Sequence, residues 1–321
     1  MTKDNTNKIK VQAIPKIDIK PWDDVYFTQL GTNHAEVLYM TSTPKQTIKK
    51  LSKTHYKVIR TGDVRRFAVS DDGKQIHVIK RSMRRLEQLI KTNFDTVRNA
   101  NNALFVTMTY DGGKMTDTEK LYPDFEKFIK RLKYEYSDHK FEYIVVCEPH
   151  DSGGWHLHML IKSDQERLFI PNEKMARIWR QGFTTTVRLK SDDVGAYYTA
   201  YFSNVETKAP LSDHATSDDV ETAEVDGEYV ATPTGKSKKF NKGERLRFYP
   251  KNMKFYRASR GIERPKAEKM MYLDVPDDLG RPRRTRTYSV DISSRDEETD
   301  EFIDSKRLNT VHREIYKKGS K

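Results

Sequence analysis

Between residues 60 and 205 apolar positions recur with two periods, and each period predicts a kind of element. Ser82–Thr96 (SMRRLEQLIKTNFDT) puts Met83, Leu86, Leu89, Ile90 and Phe94 at helical spacing, with Arg84, Arg85 and Lys91 outward. Ala103–Tyr110 (ALFVTMTY) reads as a strand. Leu121–Tyr136 reads as an amphipathic helix burying Phe125, Phe128, Ile129 and Leu132. Phe141–Glu148 and Trp155–Lys162 read as strands joined by the turn Pro149–Gly154. A short helix over Asn172–Arg180 follows Pro171, and Thr184–Leu189 is a Thr/Val strand. Asp192 or Asp193 then caps a helix from Val194 to about Asn204. Ahead of these, Val64–Val69 and Gln75–Ile79 are expected to form a hairpin around Asp72-Gly73. The order β-α-β-β-α-β-α predicts an α+β fold: a split-βαβ antiparallel sheet with helices on one face and the other face open.

The flanks are patterned differently. Residues 1–60 are polar and Lys-rich, with isolated β-like pieces such as Val25-Tyr26-Phe27, and are read as an extension. Residues 61–205 form the expected core domain. Residues 206–235 hold eight acids and one Lys and read as an acidic mobile loop. Residues 236–275 are a basic segment expected to complete the domain, and residues 276–321 a charged tail.

The 321 residues carry 59 Lys or Arg against 47 Asp or Glu, a formal charge of +12 that makes nucleic acid the expected partner. With 14 Phe, 17 Tyr and 3 Trp, the chain has enough aromatic mass for a core. Its single cysteine, Cys147, excludes an intramolecular disulfide framework and points to a reducing, cytoplasmic setting. No stretch approaches the roughly 18 apolar residues of a membrane span, so no membrane partner is expected.

The densest chemistry is Trp155-His156-Leu157-His158-Met159. Side chains alternate across a sheet, so His156 and His158 share one face while Trp155, Leu157, Met159 and Ile161 share the other. Two imidazoles about 7 Å apart at Cα can converge on one metal. Glu148, at the end of the hairpin partner, adds a carboxylate. Two His and one carboxylate with open positions suit catalysis better than a closed structural site. In the following helix Tyr197 and Tyr201 lie four apart on one face. Alone they read as packing residues; beside a metal site they become candidate nucleophiles.

Phe105-Val106-Thr107-Met108-Thr109-Tyr110, then Glu148 through His156-Leu157-His158, then Tyr197-x-x-x-Tyr201, fall in the order of the three motifs of rolling-circle replication initiators. Over roughly residues 80–265 the chain resembles the bacterial plasmid and phage-type members of these HUH (His–hydrophobic–His) endonucleases. The resemblance implies an RRM-like HUH fold with an open metal- and DNA-binding face. It implies His156 and His158 as ligands of a divalent metal, Mg²⁺ or Mn²⁺, with Glu148 as the third ligand. It also implies Tyr197 as the strand-cleaving nucleophile and Tyr201 as the second tyrosine. The single-tyrosine Tyr-x-x-Lys pattern is absent, a departure that leaves any helper cation to be found elsewhere.

The expected function is site-specific single-strand DNA nicking and strand transfer through a 5′-phosphotyrosine, initiating rolling-circle replication. The partners are single-stranded DNA at a replication origin and the host helicase and polymerase. Gly235-Lys236-Ser237 lacks the leading glycine of a phosphate-binding loop, Val230 standing there, so unwinding falls to another protein. From Lys236 to Lys269 there are 13 Lys or Arg and 3 Asp or Glu, interleaved with Phe240, Phe248, Tyr249, Phe255 and Tyr256. That pattern suits a single-stranded DNA groove, with Arg245, Arg247, Lys251, Lys254, Arg257 and Arg260 on phosphates and the aromatics on bases. The alternatives are a relaxase or transposase of the same chemistry, or a non-catalytic RRM-like binding module.

Overall fold

A computed structural model describes residues 17–42, 48–52, 55–59, 61–66, 73–112, 114–149, 153–189, 205–206, 227–231, 237–241, 249–250, 253–295 and 302–318. In chain order the first elements are β1 (Asp24–Leu30), β2 (His34–Met40), β3 (Ile48–Lys50), β4 (His55–Val58), β5 (Val64–Arg66), α1 (Gly73–Asn93) and α2 (Thr96–Asn99). Next come β6 (Ala103–Met108), α3 (Thr118–Glu135), β7 (Phe141–Pro149), β8 (Trp155–Ser163), α4 (Asn172–Trp179) and β9 (Thr184–Arg188). The remaining strands are β10 (Val205–Glu206), β11 (Gly227–Ala231), β12 (Ser237–Asn241), β13 (Tyr256–Ala258), β14 (Glu268–Met271), β15 (Arg284–Arg295) and β16 (Phe302–Lys317). The chain divides into two compact units, residues 30–32 with 69–265, and the residues on either side of them.

The larger unit is built on the sheet β13-β7-β8-β6-β9, antiparallel throughout. β6-α3-β7 and β8-α4-β9 each connect two parallel strands with a third lying between them. These are two interlocked split β-α-β units. α3 starts at Thr118, ahead of the expected Leu121, because the Asp117 side chain accepts a hydrogen bond from the Glu119 amide at 3.0 Å. Its buried stripe, Leu121, Tyr122, Phe125, Phe128, Ile129 and Leu132, covers one face of the sheet. Phe125 meets Tyr143 edge-on at 5.2 Å, and Phe128 meets Trp179 of α4 at 5.8 Å. The Arg131 guanidinium of α3 donates to the carbonyls of Ile178 and Trp179 at 2.7 and 2.9 Å, filling acceptors left open at the end of α4.

Two expectations are corrected here. Gln75–Ile79 is not the second arm of a hairpin but lies within α1, and Val64–Arg66 pairs instead with β4. Ile76, Ile79, Met83, Leu86 and Ile90 continue one helical period upstream, and that longer pattern outweighs the Asp72-Gly73 turn signal. The helices also do not keep to one face. Register puts Ile144, Val146, Leu160 and Lys162 on the face opposite α3, together with the two histidines. Ile144, Val146 and Leu160 are nevertheless buried. The Lys162 ammonium donates to the Asn93 carbonyl at 3.1 Å and lies over the Phe94 ring, so the end of α1 sits on this face. The apolar stripe of α1 has nowhere else to be buried, and it covers part of the surface expected to be open.

The other unit holds a five-stranded sheet, β14-β1-β2-β16-β15, and a small one, β3-β4-β5. Strands thus occur in both flanks, including 284–295 and 302–317 in the stretch read as a charged tail. The core of the large sheet is Val25, Phe27, Ala35, Val37, Leu279 and Tyr316. Its buried Glu314 carboxylate accepts from the hydroxyls of Tyr316 (2.6 Å) and Tyr272 (3.2 Å). Among the described residues no helix is long and apolar enough to cross a membrane.

Candidate metal centre

β7 and β8 are adjacent antiparallel strands in which Glu148 stands directly opposite His156, and Val146 opposite His158. The period of two then brings Glu148, His156 and His158 to one face, as the sequence anticipates. One ligand atom from each residue falls within 4.8 Å of the others. Ligand atoms about 2.0–2.2 Å from a shared ion stand roughly 3–4 Å apart, so small side-chain rotations bring the trio onto one cation. Glu148 and His158 are buried and His156 is partly exposed. The Nε2 atom of His158 is hydrogen-bonded to the Glu148 carboxylate, a pairing that offsets the cost of burying that carboxylate.

His158 is held from two further sides. Thr107, its cross-strand partner on β6, places Oγ1 3.1 Å from Nδ1. The Phe105 ring stacks on the imidazole with centroids 5.6 Å apart. These contacts leave Nε2 as the nitrogen facing Glu148. Sequence pattern alone does not mark either residue as a support, although FVTMT is a strand whose alternation puts Phe105 and Thr107 on one face. The missing information is register: only the pairing of β6 with β8 shows that this face is the histidine face.

The next residue along β7 faces the other way. Cys147 is fully buried toward α3, and burial pushes its thiol up to about 12. Burial likewise raises the phenol of Tyr122, whose hydroxyl donates to the Lys254 carbonyl. Residues 249–258 run beside β7: the Tyr249 hydroxyl donates to the Cys147 carbonyl at 3.0 Å, and the Cys147 amide to the Phe255 carbonyl at 2.8 Å. Tyr249 and Phe255 are buried core residues, which corrects the expectation that they stack on bases. Their apolar mass closes the β7 edge, with Tyr249 edge-on to Trp155 at 5.5 Å.

Of the expected DNA contacts, Lys254 and Arg260 are exposed. Arg257 lies on the α3 face, stacked 3.8 Å over the Tyr122 ring and paired with Glu126 at 2.7 Å. It is not brought to the histidine face. Arg245, Arg247 and Lys251 lie outside the described residues, as do Tyr197, Tyr201 and the helix expected to carry them.

An antiparallel α+β unit with a carboxylate and two imidazoles converging on one sheet face defines the class of site. Residues 103–206 match the family of replication-associated proteins of the ORF2 type. The match covers roughly a third of the chain, running from the start of β6 to the end of β10. It includes the three candidate ligands and both candidate tyrosines. No curated protein and no solved structure matches the chain.

Proposed function

We propose that this chain is an HUH-type, metal-dependent, site-specific single-strand DNA endonuclease and strand transferase that initiates rolling-circle replication. The observation that carries the reading is the meeting of Glu148, His156 and His158 within a segment that matches a replication-associated family. The ligand set suits a divalent cation, Mg²⁺ or Mn²⁺, which when bound there polarises a phosphodiester and balances charge gathering on its oxygens.

Tyr197 supplies the nucleophile in this reading. Its phenolic oxygen forms a bond to phosphorus as the bond from phosphorus to the 3′ oxygen breaks. The products are a 5′-phosphotyrosine and a free 3′-OH that a polymerase extends. The phenol proton leaves to a base, and the departing 3′ oxygen takes one up. A phenol of pKa near 10 is ionised only about one part in a thousand at pH 7, so proton removal is a substantial share of the task. Tyr201 serves the closing cleavage. Chain length supports the assignment. Tyr197 follows Leu189 by eight residues, which extended reach about 29 Å. Arg188 is level with Ile161 in the sheet, five residues along β8 from His156, or about 17 Å. Arg245, Arg247, Lys251, Lys254, Arg257 and Arg260 belong to the segment proposed to meet the substrate strand, with Lys254 and Arg260 its exposed described members.

The test is cleavage of labelled single-stranded DNA from the element's own origin, with Mn²⁺ or with EDTA, scored for a denaturation-resistant protein–DNA adduct. The adduct should need metal and be lost in His156→Ala and Tyr197→Phe. Loss in Tyr201→Phe alone would keep the chemistry and exchange the roles of the tyrosines. A folded protein that binds this DNA and never forms an adduct would instead be the non-catalytic binding module. A relaxase or transposase would cut at a transfer origin or an element end.

A further inference from the structure

The small sheet β3-β4-β5 belongs to the unit that does not hold the histidines, and its two faces differ sharply. Ile48 to Arg66 contains seven Lys or Arg and one carboxylate, Asp63. Asp63 is already engaged, accepting from Thr61 at 2.8 Å and pairing with Arg65 at 3.3 Å. Register sets Lys49 opposite Lys57, and Lys57 opposite Val64. One step along, His55 stands opposite Arg66. Alternation gathers Lys49, Lys57, Val64, His55 and Arg66 on one face, and all five are exposed. Tyr56 and Arg65 point to the opposite face and are half-buried.

Directly opposed like charges destabilise a sheet. Two such cationic pairs on one exposed face therefore do nothing for the fold, and a polyanion is what offsets their repulsion. We infer that the exposed face of β3-β4-β5 is a docking surface for double-stranded DNA, separate from the proposed nicking site. Three antiparallel strands span about 10 Å between the outer backbones, which fits a major groove about 12 Å wide. Lysine and arginine side chains reach phosphates from there, and Val64, 60% exposed, offers an apolar contact to base methyl groups. A single strand fits less well, because unpaired bases are held by stacking and the sheet's tyrosine faces away.

The experiment uses the full chain, EDTA throughout and a fluorescein-labelled duplex of arbitrary sequence, so that no cleavage is required. Binding is followed by anisotropy over a salt series. The triple variant Lys49→Ala/Lys57→Ala/Arg66→Ala should lower the slope of log affinity against log salt by about 2.7, near 0.9 for each phosphate no longer neutralised. Near 0.1 M salt the affinity should fall at least about tenfold. Lys49→Arg/Lys57→Arg/Arg66→Lys, which keeps the charges, should bind as wild type does, and thermal melting checks that each variant is folded. An unchanged slope overturns the inference. So does a larger loss on the matching single strand than on the duplex, or a loss confined to binding of phosphatidylserine vesicles. Adduct formation on a pre-exposed single-stranded site should persist in the triple variant, which separates this inference from the nicking reading.

Discussion

Thr107→Val removes one hydroxyl from beside His158 and keeps the shape of the side chain. In the structure the imidazole Nε2 meets Glu148 while Nδ1 lies 3.1 Å from Thr107 Oγ1. When Nε2 carries the proton and donates to the carboxylate, Nδ1 is an acceptor and the threonine hydroxyl donates. When a cation takes Nε2, the proton sits on Nδ1 and the hydroxyl accepts. A hydroxyl serves both states; valine serves neither. Without metal the variant should lose about 1 kcal/mol, one net hydrogen bond. With metal the loss is larger, because the second hydrogen bond of a ligating histidine is commonly worth about 10–100-fold in affinity. A tenfold loss is about 1.4 kcal/mol, which for a unit near 200 residues removes about 3–5 °C of metal-induced stabilisation. The assay is thermal melting with and without Mn²⁺, supported by calorimetric titration of the metal. Thr107→Ser should restore both quantities. Wild-type behaviour in the valine variant, or equal damage from serine and valine, would refute the positioning argument.

Two further perturbations test the fold around the site. Leu160→Ala should cost about 2–5 kcal/mol in urea unfolding, because Leu160 is 0% exposed on the histidine face; a loss below about 1 kcal/mol would mean that α1 does not cover it. Cys147, the one thiol and fully buried, should resist a thiol reagent at pH 8 in the folded protein and react only as the chain unfolds, so labelling at the free-thiol rate would place it at the surface.

The readable part of this chain is the part with strong periods. His156 and His158 share a face because side chains alternate, and Glu148 joins them because a short turn fixes the hairpin register; both follow from sequence. Thr107 and Phe105 do not follow, since β6 reaches β8 only through long-range pairing that local pattern does not encode. The flanks are illegible for the same reason. β2 pairs with β16 across more than 260 residues, Ile315 opposite Glu36, and neither strand carries a strong alternation of its own. Their burial comes from being together. In the basic segment composition misleads: Tyr249 and Phe255 sit among cations in the sequence but point inward, where they seal the edge of β7.

The cover supplied by α1 gives the site a direction. Along the histidine face of β8, Lys162 lies under the end of α1, Leu160 and His158 are buried, and His156 is partly exposed. Access therefore increases toward the start of β8, where Glu148 stands beside His156. A phosphodiester that reaches the cluster must approach from that end, since the other end is filled by side chains of the core. His156 is then the ligand nearest to solvent and Glu148–His158 the buried anchor. Such an arrangement keeps one side of a bound cation open to substrate while a buried carboxylate opposes its charge, as open catalytic sites require. A site placed in the middle of a bare sheet would lack that polarity, so the helix that contradicts the open-face expectation also defines where a substrate strand can lie.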